Sequence, residues 1–330
     1  MKTSLIAKIV VVLCILCLIA GFISLDKYKP YDENEQQKGK TNKVAVIELD
    51  GMIMSKADGG FFDQNSGASG MLKSLVAAKD DKNISGIILK INSPGGTVAM
   101  SQNIYNKILD IRKNKPVITV FEDVGASGAY YIASAADRII AQEGTLTGSI
   151  GVIFSFMDYH NLLANKLNIN NVVIKSGKFK DIGSSTREMT SEERELMQNI
   201  INDSYNQFLT AIIKGRVNRT DDYKAQKVIL TEATLRQYAD GRIFTGRQAK
   251  ALGFIDETGD MDTAKDMISS IMQQKFNNNL PASLVIYSKQ TKFFDYMKEF
   301  TEYKSNVGIQ LTDLMPKSMI LSRKLLYLWE

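Results

Sequence analysis

"VFEDVGASGAYYIASAADRIIA", residues 120–141, decides how the rest of the chain is read. Within it, Gly125, Ala126, Ser127, Gly128 and Ala129 run unbroken between an apolar strand-like segment and a helix-like one. Glycine loses more backbone entropy on folding than any other residue, so such a run costs stability. That cost is offset where something must approach the backbone closely, or where two elements must pack tightly. The first case describes a site and the second a plain core.

Outward from this stretch the chain alternates. Short apolar runs rich in β-branched residues recur: "KVAVIEL" (43–49), "GIILKI" (86–91), "VITVF" (117–121), "RIIA" (138–141), "SIGVIF" (149–154) and "NVVIK" (171–175). Several lack strict alternation, which suits strands buried on both faces. Between them Val98, Ser101, Ile104, Ile108 and Ile111 fall at helical spacing, as do Met197, Ile201, Tyr205, Phe208 and Ile212. The second stripe starts at a capping box, Thr190 with Glu193 three residues on. Further on, Gly241 marks a turn, Thr245 caps a short helix and Gly253 ends it. Strands alternating with helices predict βαβ crossovers, an α/β fold with a largely parallel sheet.

The N-terminal segment differs from the rest. After Lys2 and Lys8, the seventeen residues Ile9–Leu25 are uncharged and mostly apolar. About 17–21 helical residues span the roughly 30 Å of a bilayer core. No small-x-small cleavage site precedes Asp26, so residues 1–25 read as an uncleaved anchor rather than a removed signal. Lys2, Lys8 and the α-amino group favour a cytoplasmic N-terminus, which Lys27 and Lys29 partly oppose. Residues 26–42 read as a polar tether, 43–275 as the folded body and 276–330 as a C-terminal extension that the pattern leaves unassigned. Both cysteines, Cys14 and Cys17, lie in the anchor, so the body has no disulfide and no thiol. A dispersed surplus of five positive charges gives no basis for nucleic-acid binding.

The body contains one histidine, His160, which sits beside Leu162 and Leu163 and reads as a helix-surface residue. That argues against a Ser-His-Asp triad and, with no cysteine ligands, against a zinc site. Nothing in the sequence calls for a metal or a cofactor. A serine with a lysine remains. Ser127 follows a strand and precedes a helix, where N–H groups lack intrahelical partners and can stabilise an oxyanion. Gly128 offers one such N–H, and "KINSPGGTVAMS" offers a second at Gly95–Gly96. "VIKSGKFKDIGSS" supplies Lys175, Lys178 and Lys180 as bases. A lysine is a base only when neutral, which near pH 7–8 needs about 3 units of depression, roughly 4 kcal/mol. Burial can supply that, but spacing alone does not choose among the three.

Four segments, "NSPGG", "GASGAYYIASAAD", "TGSIGVI" with "SGKFKD", and "DGRIFTGRQAKALGFIDE", resemble the signal peptide peptidase A family of membrane-bound serine peptidases. The resemblance covers about residues 43–260 and implies a Clp/crotonase-like fold. It matches Ser127 to the nucleophile and Lys180, after Gly177-Lys178-Phe179, to the general base. It matches Gly96 and Gly128 to the oxyanion donors. Gly95 and Ser149 are expected beside the substrate. Ser149 is also a rival nucleophile and, with Ser184 and Ser185, a hydroxyl that could orient the lysine. Ala129 stands where the family usually has glycine; its methyl could narrow the site slightly but touches no catalytic atom. Phe179 replaces a commoner tyrosine. The resemblance also implies cleavage of leftover signal peptides at the membrane, an extracytoplasmic catalytic domain, and homo-oligomeric rings. In such rings the serine of one protomer meets the lysine of its neighbour. Two other readings compete: a ring-forming scaffold that binds peptides without cutting them, and a crotonase-type acyl-CoA enzyme. The matching loops hold no glutamate of the kind acyl-CoA chemistry uses.

Overall fold

A computed structural model describes residues 41–55, 67–218 and 230–287. In chain order its elements are β1 (Asn42–Asp50), α1 (Gly67–Asp80), β2 (Ile84–Ser93), α2 (Val98–Ile111), β3 (Val117–Ala126) and α3 (Gly128–Ala133). Then come β4 (Arg138–Ala141), β5 (Leu146–Gly148), α4 (His160–Lys166) and α5 (Ser191–Ile212), which a π-helical turn over Ile213–Val217 prolongs. The last are α6 (Glu232–Tyr238), β6 (Ile243–Thr245), α7 (Gly246–Ala251), β7 (Glu257–Thr258), α8 (Met261–Phe276) and β8 (Ala282–Ile286). Residues 1–25 of the expected anchor, most of the tether and positions 288–330 lie outside the described residues. Among the described residues no helix is long and apolar enough to cross a membrane.

The strands join one sheet in the order β6-β5-β3-β2-β1-β8, with β4 against β3 and β7 against β4. Every pairing is parallel except β5 with β6. The central strands bury side chains on both faces, which is why their sequences read as continuous apolar runs. Ala45, Ile47, Leu49, Ile87, Leu89 and Ile91 face α1 and α2 through Leu75, Ile104 and Ile108. The alternate residues Val44, Ile88, Ile118 and Val120 face α8 through Ala264, Ile268 and Ile271. The result is a mixed α/β fold with a mostly parallel sheet, consistent with the Clp-like class.

Strand β3 carries the feature that makes the site. Its first half, Ile118–Phe121, pairs with β4, and its end, Val124–Ala126, pairs with β5. Glu122 and Asp123 are exposed between the two. A side chain at Gly125 would place its Cβ 2.1 Å from the Phe121 ring, so glycine lets that ring fold against the bend. Beyond it, Ser127 ends the strand and α3 begins.

Two predicted strands do not form. "SIGVIF" and "NVVIK" lie in an irregular arm over residues 149–190, interrupted only by α4. Ser149 has φ 49°, which breaks an extended run. Ile153, Val172 and Ile174 are 85%, 83% and 97% exposed, so these apolar runs have no sheet to join within the described chain. Conversely, β8 lies in the unassigned C-terminal stretch and pairs with β1, Ala45 opposite Val285. The Thr190–Glu193 capping box is present, as is a Thr245–Gln248 box that starts α7. Gly253 follows the end of α7 at φ 82°.

Candidate active site

Ser127 sits between β3 and α3 at φ 54° and ψ −118°, a conformation L-residues rarely adopt. Such backbone costs on the order of 1–3 kcal/mol and persists only where its surroundings over-determine it. They do so here. The Ser127 N–H donates to the Gly148 carbonyl at 2.9 Å, and its carbonyl accepts the Tyr131 N–H at 2.9 Å. Every residue of α3 is buried. The Tyr130 hydroxyl donates to the Phe254 carbonyl at 2.8 Å, which pins the helix from below. Ala129 is fully buried and belongs to the main core.

The "SPGG" turn lies directly against this corner. A Cβ at Gly95, whose φ is +105°, would fall 2.7 Å from the Gly128 nitrogen and 2.8 Å from the Ser127 Cβ. A Cβ at Gly128 would fall 3.1 Å from the Gly96 nitrogen and 2.6 Å from the Ser101 Oγ. Four of the sequence-predicted positions, Gly95, Gly96, Ser127 and Gly128, therefore share one small space. Gly96 is oriented by a parallel bridge with Ile53. The Ile53 N–H donates to the Gly95 carbonyl at 2.9 Å and the Thr97 N–H to the Ile53 carbonyl at 2.7 Å. That bridge uses the residues on either side of Gly96, so the Gly96 N–H points the other way. Neither it nor the Gly128 N–H donates to anything among the described residues.

Ser149 is also held at positive φ, and its N–H donates to the Arg242 carbonyl at 2.8 Å. It follows Gly148, the residue that receives the Ser127 N–H, so the 148–150 segment borders the serine corner. Ser184 and Ser185 lie elsewhere, on the arm. The Ser184 Oγ is 3.0 Å from the Thr186 Oγ1, and the Ser185 carbonyl accepts the Tyr159 N–H at 2.7 Å. His160 opens α4 and lies 2.6 Å from Asp158.

The three lysines separate by their partners. Lys175 pairs with Asp181 and Lys178 with Glu192. Lys180 is exposed, and its ammonium has no acidic partner among the described residues. Its backbone lies in successive tight turns, with Lys180 N–H to Gly177 O at 3.1 Å and Ile182 N–H to Phe179 O at 3.1 Å. The burial expected of a general-base lysine is therefore not found at Lys180 among the described residues.

Sequence reasoning missed several supports. Ile53 orients Gly96 from a stretch with no motif. Ser101, noted only as part of a helical stripe, lines the space under Gly128. The stretch 239–260 read only as a short helix with good stops, yet Asp256 beyond that helix is a buried anchor. Its carboxylate accepts the Ile139 N–H at 2.6 Å and pairs with buried Arg216 at 2.7 Å, beneath α3. Gly215 lies so close to the end of α3 that an added Cβ would be 2.0 Å from the Ser134 carbonyl.

A serine in a forced turn, flanked by two neighbouring N–H groups that no described residue accepts, has parts that acyl transfer needs. On a Clp-like sheet these parts define the class of serine peptidases. A family model described as peptidase family S49 matches residues 110–275, and one described as Clp protease matches 62–142. A protein named as a protease from Methanocaldococcus jannaschii is 36% identical over 234 residues, 70% of each chain. One so named from Synechocystis is 37% identical over 69% of this chain and 74% of its own. A protein of Enterococcus faecium named as a signal peptide peptidase, SppA, is 30% identical over 80% of this chain and 72% of its own. The chain belongs to peptidase family S49, and it is a serine peptidase acting on peptide substrates.

Proposed function

We propose that this peptidase is a membrane-anchored endopeptidase that degrades signal-peptide remnants with a Ser127–Lys180 dyad. The observation that carries the serine as nucleophile is its forced turn beside two unpaired N–H groups, Gly96 and Gly128; Lys180 is assigned as the base from its place in the "SGKFKD" segment. The Ser127 hydroxyl attacks the scissile carbonyl as neutral Lys180 takes its proton. The oxygen that becomes negative accepts from Gly96 and Gly128. Lys180 then gives the proton to the leaving amine, and water, deprotonated by the same lysine, hydrolyses the acyl-enzyme. Ser149 borders the peptide and, with the Gly95 turn, lines the path of its backbone.

The serine and lysine are taken from different protomers of a ring. Two observations support this. The lysine loop is fastened to Glu193 at the start of α5, while Phe208 of the same helix packs on Tyr131 of α3 at 4.9 Å between ring centroids. Fifteen helical residues separate those two points by about 22 Å. The arm also exposes many large apolar side chains, Ile153, Met157, Val172 and Ile174 among them, of the kind that an interface would cover. The apolar segment Ile9–Leu25 supports an anchor over residues 1–25, a tether over 26–42, and a body from 43 to 275 outside the cytoplasm, followed by the 276–330 extension. The name of the Enterococcus relative supports signal peptides as substrate.

The test mixes two full-length variants in detergent, Ser127→Ala and Lys180→Ala, and assays cleavage of an apolar peptide with small side chains. Each alone is expected to be inactive. After dissociation and reassembly together, about a quarter of heterologous junctions pair an intact serine with an intact lysine, and activity returns. A mixture that stays inactive, beside a wild-type protein that survives the same treatment, overturns the shared site. Cleavage by Lys180→Ala alone overturns the dyad.

A further inference from the structure

One guanidinium fastens the lysine loop to α5. The Arg187 Nε donates to Asp181 Oδ2 at 2.9 Å, and Nη2 donates to Asp181 Oδ1 at 2.8 Å. Nη1 donates to Glu193 Oε2 at 2.8 Å and to the Glu188 carbonyl at 3.0 Å. Nη2 also reaches Glu193 Oε1 and the Asp181 carbonyl. A guanidinium has five N–H donors, and here all five are engaged. Both acids are themselves constrained. Glu193 is buried, and its carboxylate accepts the Thr190 N–H at 3.0 Å as half of the capping box that starts α5. Asp181 directly follows Lys180 and is also held by Lys175, whose ammonium donates to the Lys178 carbonyl at 3.0 Å. The other charged pair at this junction, Lys178 with Glu192, crosses from the loop to the same turn of α5.

From this arrangement we infer that Arg187 is a positioning residue for Lys180. It ties the lysine loop to the first turn of α5, and it keeps the Asp181 carboxylate engaged so that it does not pair with the adjacent ammonium. The inference rests on Lys180 being the general base. Its chemical logic is the separation of two neighbours with opposite needs. A base must shed its charge, and a free carboxylate beside it would stabilise that charge. Arg187 and Lys175 together supply two positive charges to Asp181, leaving Lys180 as the loop's unpaired lysine. A lysine at position 187 could not do the same, because one ammonium lacks the planar fork that spans two carboxylates.

The test compares Arg187→Gln, Asp181→Asn/Arg187→Gln and Lys180→Ala in the full-length protein, with peptide cleavage followed from pH 6 to pH 11. Arg236→Gln, which removes an exposed ion pair with Glu232 on α6, serves as the control and is expected to match wild type. Arg187→Gln is expected to lower kcat about tenfold or more at neutral pH with little change in KM, and to move the alkaline-rising limb up by about one unit. The limb returns toward its wild-type position in the double variant, because asparagine carries no charge. Sedimentation and thermal unfolding report whether assembly and fold persist. If Arg187→Gln does not fold, Arg187→Lys is expected to show a smaller shift in the same direction. A folded variant with unchanged kcat and limb overturns the inference, as does a shift that survives in the double variant. Activity retained by Lys180→Ala instead overturns the dyad beneath it.

Discussion

Gly128→Ala separates the oxyanion site from the stability of the fold. The Gly128 φ lies outside the left-handed region, so alanine is conformationally acceptable there. Alanine in place of a helical glycine gains about 1 kcal/mol in propensity. Against that, the new methyl would sit 2.6 Å from the Ser101 Oγ, a buried group that donates to the Thr97 carbonyl at 2.9 Å. Moving the hydroxyl aside sacrifices that bond, about 1 kcal/mol, and residual crowding adds about 1–3 kcal/mol. The net loss is roughly 1–3 kcal/mol, which lowers Tm by several degrees in a domain of this size. Catalysis suffers more. The methyl would lie 3.1 Å from the Gly96 nitrogen, in the space where the proposed mechanism seats the anionic oxygen. Losing one donor's contribution costs about 10²–10³ in kcat, and blocking both costs at least that. Steady-state cleavage and thermal unfolding are to be measured on Gly128→Ala and on Ser101→Ala/Gly128→Ala. The double variant removes the 2.6 Å contact, so stability returns while kcat stays low. A Gly128→Ala enzyme with kcat within about twofold of wild type would show that the oxyanion binds elsewhere.

Arg216→Met is expected to destabilise the fold by about 3–5 kcal/mol, toward the lower end because Arg138 Nε remains 4.0 Å from Asp256. A urea midpoint at constant m-value checks this, and a loss under about 1 kcal/mol refutes it. Acid is expected to loosen the arm before the body. Arg187, with the Thr190 N–H assisting, holds Glu193 from its ordinary 4.5 down to about 2, and Arg187 with Lys175 holds Asp181 below the usual carboxylate range. Both folded values are depressed, so this stabilisation is complete above the unfolded values and lost as pH falls toward about 2. Hydrogen exchange across residues 175–195 should rise over that window. The rise should be weaker in Glu193→Gln, and no difference between the two proteins counts against the linkage.

The apolar runs of β1 to β4 were legible because strands buried on both faces need apolar residues at every position. The glycine corner was legible because only small residues allow two backbones to come so close. Thr190 with Glu193 and Thr245 before α7 announced their helices, since a capping box satisfies N–H groups within four residues. "SIGVIF" and "NVVIK" look the same as true strands in sequence, because apolar content reports a need for burial and not the partner that provides it. Strands β6, β7 and β8 are too short or too ordinary to stand out, and pairing alone makes them strands.

Local sequence thus determined the α/β character of this peptidase, the serine at a strand-to-helix turn and the two glycine turns beside it. All of these depend on neighbours in the chain: backbone freedom, capping and apolar period. Tertiary structure alone decided that Gly96 and Gly128 lie together beside Ser127, that Ile53 bridges the first of them, and that Arg187 reaches both Asp181 and Glu193. It also distinguished Lys180, whose ammonium is unpaired among the described residues, from Lys175 and Lys178. These are matters of direction and distance between segments far apart in sequence, which composition and spacing do not encode.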